Sequence, residues 1–352
     1  MVLRAETRPH ISVVIAARNE QEHIEECIRS IMEGTLGPEE VEVIVADGGS
    51  TDGTREIVSN LAARHTNVRL IDNPRRITPV GFNLGIRASR GETICVMGGH
   101  AWLDADYLRV CRDKLSEVGA DIDGGPMETI CKNTGASARL AMAVQSSRFG
   151  VGSSFRNFSR EGPIDTTAYA VYRRSVFERF GLFDERLVRN QDNELASRVR
   201  QGGGQIWMVA SVHSHYYSRP TVGKMLKQNF RNGLYNWLTW RINPASFTLR
   251  HAVPFAFVLF LLLGIPLAVF SPVLRWVFLC VLGLYLSLDV LASIEAGLRL
   301  RTALAAILPL IFPALHVAYG TGTLLGVFRF GLFPGGQGPE KLSPRDGKGG
   351  VR

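Results

Sequence analysis

The chain has 352 residues and a formal net charge of +8, enough for one large domain with an appendage or for two ordinary domains. Its five cysteines (Cys27, Cys95, Cys111, Cys131 and Cys280) show no paired spacing, which excludes a disulfide framework or a zinc knuckle and points to a reducing compartment. The basic residues gather near the apolar C-terminal third and form no nucleic-acid motif, so an anionic membrane surface suits them better than a nucleic acid.

The N-terminus, MVLRAETRPH, lacks the apolar run of a signal peptide, and this leaves the first 250 residues in the cytosol. Ile11–Ala17 is a continuous apolar run of strand length and Val41–Ala46 is a second. Each is followed by polar turn residues and then by helical periodicity. Behind the first, Ile24, Cys27, Ile28, Ile31 and Met32 fall at helical spacing, with Asn19 as the N-cap. Val68–Ile71 and Thr93–Met97 add two more strands. This β-α-β-α series over residues 11–120 predicts an α/β fold: a parallel sheet covered on both faces, with ligands at the carboxyl ends of its strands. Residues 121–218 are more mixed and carry a glycine break at Gly202–Gly204.

From Arg219 to Arg250 there are six basic residues and no acidic one, interleaved with Phe230, Tyr235, Trp237, Trp240 and Phe247. That composition predicts interfacial helices at the lipid headgroups, a solvated basic face being the plainer alternative. Three apolar stretches follow, at residues 253–270, 273–292 and 303–327. A bilayer core takes about 20 apolar residues as helix, so about three transmembrane helices fit within 251–330. Arg299 and Arg301 place the second connection on the cytoplasmic side. Three spans, however, export a tail with Arg329, Lys341, Arg345, Lys348 and Arg352, against the positive-inside tendency. Pro266 leaves a re-entrant hairpin open for the first stretch, and residues 331–352, rich in Gly, Pro and charge, read as a disordered tail. Asp289, Glu295 and His316 stand out because ionisable residues in lipid are expensive; for Asp289 a partner on another helix is the plainer explanation.

The first strand ends in Ala16-Ala17-Arg18-Asn19-Glu20 and the second in Asp47-Gly48-Gly49-Ser50-Thr51-Asp52-Gly53-Thr54. A carboxylate at a strand's carboxyl end, followed by glycines and hydroxyls opening a helix, can hold a ribose or base while backbone N–H groups stay free. Taken alone, Asp47 and Asp52 serve equally as turn and cap residues.

At this point the sequence resembles the family 2 nucleotide-sugar glycosyltransferases of the GT-A fold. The resemblance rests on VVIAARNEQEHIEECIRSI, VIVADGGSTDGT and NPRRITPVGFNLGIRASRGE, and runs from about Ile11 to Tyr217. RNQDNELASRVRQGGGQIW extends it toward the bacterial succinoglycan-type exopolysaccharide glucosyltransferases. The resemblance implies that Ala17, Arg18, Glu20 and Asp47 line a nucleoside pocket, with Arg76 and Asn83 near the diphosphate or base. It also implies a UDP-sugar donor and Mg2+ or Mn2+ at a DxD-like motif. Here that motif reads Gly98-Gly99-His100, so the first carboxylate is missing and His100 alone keeps a ligand side chain, suited to a manganese-like ion. Asp104 either compensates or caps a helix, and His100 also reads as an ordinary polar strand-end residue. The segment from Asp165 to Arg174 is placed beside the donor sugar and phosphates.

Direct displacement at the anomeric carbon needs a carboxylate to take the acceptor's proton, and such a base contributes about 10²–10⁴-fold. In Gln191-Asp192-Asn193-Glu194 the resemblance gives that role to Asp192, which otherwise reads as a helix N-terminal charge. Glu194 is two residues on and faces elsewhere on a helix, orienting the acceptor or serving structure. Gln228 and Arg231 partly match a Gln-x-x-Arg-Trp motif of processive synthases; Asn232 stands where its Trp belongs, which favours adding one sugar per encounter.

The expectation is therefore a GT-A domain at 1–218, interfacial helices at 219–250, a membrane anchor at 251–330 and a tail. Its function would be inverting transfer to a lipid-linked saccharide or polyprenyl acceptor at the cytoplasmic face of the inner membrane. A polyprenyl-phosphate glycosyltransferase and a weakened nucleotide-sugar-binding membrane subunit are the alternatives.

Overall fold

Strands β1 (Ile11–Ala17) and β2 (Val41–Asp47) are buried almost throughout, as expected of parallel strands with helices on both faces. They sit in an eight-stranded sheet in this computed structural model, which describes residues 10–130, 135–151, 160–217, 221–247, 249–300 and 303–331. Cys131, Arg219, Arg301 and the tail beyond Gly331 lie outside the described residues. The other described cysteines, Cys27, Cys95, Cys111 and Cys280, are free.

In chain order follow α1 (Ile24–Met32), α2 (Thr54–Arg64), β3 (Val68–Asp72), α3 (Thr78–Ala88), β4 (Thr93–Gly98), β5 (Ala101–Leu103), α4 (Tyr107–Val118), β6 (Ile122–Gly124) and β7 (Met127–Ile130). Then come α5 (Ala136–Gln145), α6 (Arg148–Val151), β8 (Gly162–Pro163), β9 (Val171–Arg173), α7 (Arg174–Phe180), α8 (Gln191–Gln201), β10 (Ile206–Met208) and β11 (Ser214–Tyr217). The sheet order is β3-β2-β1-β4-β9-β6-β10-β8; β5, β11 and β7 form a small second sheet. β3, β2, β1 and β4 are parallel, whereas β9 runs antiparallel to both β4 and β6. Close helix–sheet approach depends on Gly85 of α3, where a Cβ would lie 2.2 Å from Val14 Cγ1.

Asn19 does not cap α1, whose N-cap is His23. With φ at 54° it turns the chain instead, a conformation Asn tolerates better than most residues.

Most of the basic stretch, expected as interfacial helices, is one long helix, α9 (Val222–Ile242), followed by a single 3-10 turn at Pro244–Ser246. The apolar region forms α10 (Leu249–Phe270), α11 (Pro272–Leu300) and α12 (Leu308–Phe330). All three are long and apolar enough to cross a membrane. Among the described residues every large exposed hydrophobic except Val188 falls between Val253 and Phe328, a surface that suits a bilayer. α9 and α12 pack with their backbones in near contact: a Cβ at Gly322 would sit 2.1 Å from Phe230 O, and one at Gly233 2.1 Å from Tyr319 O, the use small residues have between membrane helices. Asp289 is buried, with Ser293 Oγ at 3.4 Å, and His316 is held between Tyr285 Oη at 2.8 Å and Phe149 O at 2.9 Å.

Candidate functional site

The loops after β1 and β2 are laced into one surface. Asn19 N donates to Ser50 Oγ at 2.9 Å and Thr51 N to Asn19 Oδ1 at 2.8 Å; Glu20 N donates to Thr54 Oγ1 at 2.8 Å and Gly53 N to Gln21 Oε1 at 2.9 Å. Polar side chains at both strand ends thereby satisfy backbone groups that neither helix reaches. Burial pushes the Asp52 carboxyl up, but hydrogen bonds from Thr54 and the Gln21 amide outweigh it, and the group rests below the ordinary carboxylate value.

Asp47 is buried beneath this surface. Its oxygens accept from Ser50 Oγ at 2.5 Å, from Gly49 N at 3.2 Å and from Arg55 Nη1 at 3.0 Å. Arg55 also reaches Asp72 at 2.7 Å. Ala17 fixes the strand end through its carbonyl, which accepts from Gly48 N at 2.8 Å. Arg18 and Arg76 are exposed here. Arg76 lies against the backbone of Gly49, where a Cβ would meet its Nε at 3.2 Å. Asn83 is turned elsewhere: its Nδ2 donates to Phe183 O at 2.9 Å and to Glu185 Oε1 at 3.1 Å, while its Oδ1 accepts from Phe183 N at 3.0 Å. With both donors spent on protein, Asn83 ties α3 to the loop that leads into α8.

At the end of β4 the imidazole of His100 folds over Gly98, so that a Cβ at Gly98 would lie 3.2 Å from His100 Cε1. His100 Nδ1 pairs with Glu20 Oε1 at 2.8 Å, and Gly99 leaves room for the Glu20 stem, whose Cγ a Cβ there would meet at 3.2 Å. For Mg2+ or Mn2+ this edge offers two ligand side chains, one engaged with the other. Among the described residues no group of three or more His, Cys, Asp or Glu side chains is arranged to hold an ion. These two side chains do not by themselves complete a metal site, and His100 is paired with Glu20. Asp104 neither caps α4 nor joins such a site: its carboxylate accepts from His213 N at 2.7 Å and pairs with His215 Nε2 at 2.8 Å. Burial raises that group's pKa, but those histidine contacts outweigh it and leave it lowered.

The antiparallel direction of β9 determines what lies across from Gly98. Cys95 pairs with Val171, and Val96 N donates to Ala170 O at 3.2 Å, so residues 165–168 run past the carboxyl end of β4. Thr166 and Thr167 are buried there, while Asp165 is exposed with Arg200 at 3.8 Å. The same direction carries Arg173 and Arg174 to the opposite edge, correcting their expected place near the phosphates. Arg173 Nε donates to Ala120 O at 2.7 Å and Arg174 Nε to Gly91 O at 2.7 Å.

Beyond Thr166 opens a cavity of about 680 Å³, a volume within the ordinary range for ligand sites. Its polar wall contains Asp192 together with Gln145, Asn190, Asn193, Gln228, Asn229 and Asn232, and Arg148 adds a cation. Its apolar wall comes from the long helices, through Val253, Pro254, Phe257, Leu288 and Leu315. Asn190, in the left-handed region at φ 63°, turns the chain into α8 and brings Asp192 into the helix's first turn, where the helix dipole favours a carboxylate.

The structure thus brings Asp192 and Gln228 to one cavity, and places Ala17, Arg18, Glu20, Asp47, Arg76, Gly98, Gly99 and His100 along the strand ends that approach it. Asp47 does not line the cavity; β2 and β9 are three strand spacings apart, about 14 Å. Gln191, Asp165 and Arg231 are not in its wall either. Glu194 is buried and structural. Arg198 Nε and Nη2 each lie 2.8 Å from its carboxylate, and Asn243 Nδ2 lies 3.3 Å away. Sequence reasoning missed Arg55 under the first loops and, apart from Gln228, the carboxamides of the cavity. The repeated Asn and Gln of residues 190–193 and 228–232 were the available signal.

A parallel sheet whose first two strand ends form a laced polar loop pair, with an acid-bearing helix facing it across β4, defines a GT-A type nucleotide-sugar glycosyltransferase. A solved structure of TarS residues 1–349 from S. aureus, in complex with UDP-GlcNAc, has a similar fold, with a TM-score of 0.51 at 13% identity over 91% of each chain. The profile of Glycosyl transferase family 2 matches residues 12–181. Succinoglycan biosynthesis protein ExoA of Rhizobium meliloti (strain 1021) is 32% identical over 254 residues, 69% of this chain and 74% of the relative. A Methanococcus voltae protein, dolichyl N-acetyl-alpha-D-glucosaminyl phosphate 3-beta-D-2,3-diacetamido-2,3-dideoxy-beta-D-glucuronosyltransferase, is 27% identical over 91% of this chain and 97% of its own length. The chain belongs to glycosyltransferase family 2 and is a glycosyltransferase.

Proposed function

We propose that the protein transfers a sugar from a nucleoside diphosphate, UDP in our reading, to a saccharide carried on a membrane lipid, inverting the anomeric centre. The nucleoside occupies the laced loops at the ends of β1 and β2, and the sugar reaches past Gly98 toward Asp192. Asp192 accepts the proton of the acceptor hydroxyl while that oxygen attacks the anomeric carbon and the diphosphate leaves on the opposite side. Arg18 and Arg76, exposed at this edge, are the cations available to the leaving group.

The observation that carries the proposal is the mixed lining of one cavity, where a carboxylate and six carboxamides stand together with apolar side chains from the long helices. Carboxamides donate and accept hydrogen bonds at once and so match sugar hydroxyls, while the apolar wall matches an acyl or isoprenoid chain. This lining favours a saccharide over a bare lipid phosphate as the reacting group. The named acceptor of the Methanococcus voltae relative, a dolichyl phosphate sugar, agrees with it. The catalytic domain belongs on the cytosolic side of the inner membrane, by the position of Arg299 and Arg301.

Membranes containing the protein, incubated with a panel of labelled nucleotide sugars and then extracted, should yield a labelled lipid-linked glycan. Label appearing only as free sugar, or on water-soluble acceptors alone, would refute the lipid acceptor. Unchanged turnover in Asp192→Asn would point to an acceptor phosphate.

A further inference from the structure

We infer that α12 does not cross the bilayer but lies in its surface alongside α9, so that the α10–α11 hairpin alone spans and the C-terminus stays on the side of the catalytic domain.

α9 is tied to the catalytic domain at its start, in its middle and past its end. At its start Val222 N donates to Ser137 Oγ at 2.9 Å; in its middle Asn232 Oδ1 accepts from Arg189 at 3.0 Å; past its end Asn243 meets Gln201 at 3.0 Å and Glu194 at 3.3 Å. A helix of 21 residues spans about 32 Å, and one fastened to a single domain at both ends and the middle runs along that domain's face.

α12 follows it side by side and in the same direction. Glycines 322 and 326 of α12 abut Phe230 and Trp237 of α9, and Trp237 Nε1 donates to Gly331 O at 2.9 Å. Each end of α12 also touches the catalytic domain: Leu308, Ile311 and Phe312 pack with Leu140 and Val144 of α5, and Phe330 packs with Leu187. A helix about 35 Å long with both ends on one domain cannot also deliver one end to the far side of a membrane. α10 meets α12 in its first half, where Pro254 and Val258 lie against Gly320 and Phe257 against His316. The outer parts of α10 and α11 meet each other, as in the Phe260–Phe278 stack at 4.9 Å, and project beyond everything else as exposed Leu262, Phe270, Trp276 and Leu284.

The exposed faces fit the headgroup boundary. Asn232 lies about 200° around α9 from Phe230 at 100° per residue, so the catalytic domain and α12 lie on nearly opposite sides of α9. Lys224, Lys227 and Arg231, at steps of three and four, form one exposed cationic row on its flank. On α12, Leu310, Val317, Leu325 and Phe328 form an exposed apolar row. Cations at headgroup level above an apolar face are the pattern of a helix pair resting in an anionic leaflet. Arg329, Lys341, Arg345, Lys348 and Arg352 then remain with the catalytic domain, which removes the conflict with the positive-inside tendency.

Sidedness and depth test this in the full chain without reference to activity. With Cys131 and Cys280 replaced by Ser, single cysteines at Thr51→Cys, at Ser271→Cys and after Arg352 are labelled with a membrane-impermeant maleimide in right-side-out and inverted vesicles. The Thr51 and C-terminal sites should label from one side and the Ser271 site from the other; a C-terminal site that labels with Ser271 would overturn the inference. Nitroxides at the lipid-exposed sites Leu310→Cys, Val317→Cys and Leu325→Cys should report one shared depth. A mid-helix site several ångströms deeper than its flanks would show that α12 crosses.

Discussion

Asp192 and Glu194 stand two residues apart in one helix, yet the structure assigns them opposite consequences. Asp192→Asn keeps size and hydrogen-bonding shape at a half-buried cavity wall, so folding should be nearly untouched. If Asp192 is the base, kcat should fall about 10²–10⁴-fold, equivalent to about 2.7–5.4 kcal/mol of barrier at 1.36 kcal/mol per decade. Glu194→Ala does the reverse. The side chain is 3% exposed and binds Arg198 through three contacts of 2.8–3.0 Å, while Arg198 also donates to Leu182 O at 2.8 Å. Removing one partner of a buried pair costs about 3–5 kcal/mol, which at 2–4 °C per kcal/mol lowers Tm by roughly 6–20 °C in a domain of this size. Thermal unfolding in detergent and initial transfer rates on the same preparations separate the two effects. An Asp192→Asn enzyme within threefold of wild type, or a Glu194→Ala protein that melts normally but has lost transfer, would refute this division of roles.

Gly85→Ala should cost about 3 kcal/mol or more, since its methyl group would overlap Val14 at 2.2 Å; a shift below 1 kcal/mol in chemical denaturation would show that α3 can move off β1. Asn83→Leu should weaken folding by about 1–3 kcal/mol by leaving the N–H and C=O of Phe183 unpaired, with the KM for donor little changed. A KM rise of tenfold at unaltered stability would return Asn83 to the donor site. Glu42 is buried, which pushes its carboxyl up, but Ser12 Oγ at 2.6 Å, Arg90 N at 2.5 Å and the guanidinium of Arg69 at 2.9 Å outweigh burial and leave its pKa lowered. Because the folded value lies below the unfolded one, of about 4.3, its contribution is present above that pH and is lost as pH falls through the folded value. Glu42→Gln should therefore lower Tm at neutral pH and flatten the acid limb of the Tm–pH curve; parallel curves would count against it.

The apolar runs of β1 and β2 and the Asn, Ser, Thr and Gly residues behind them determined the parallel sheet and the polar loop pair locally, because each run is of strand length and too short for a buried helix. The long apolar stretches likewise announced membrane-associated helices by composition alone. What the linear pattern left open was direction and partnership. Nothing in residues 165–174 states that β9 runs antiparallel, yet that direction sends Thr166 to the cavity side and Arg173 and Arg174 to the opposite edge. Asp192 and Glu194 look alike in sequence, and only the position of Arg198 and Asn243 makes one of them buried structure. Hydropathy measures how apolar a helix is and not how it is oriented. The course of α12 was therefore decided by tertiary contacts, through glycines that let it lie against α9 and anchors that hold both its ends to one domain.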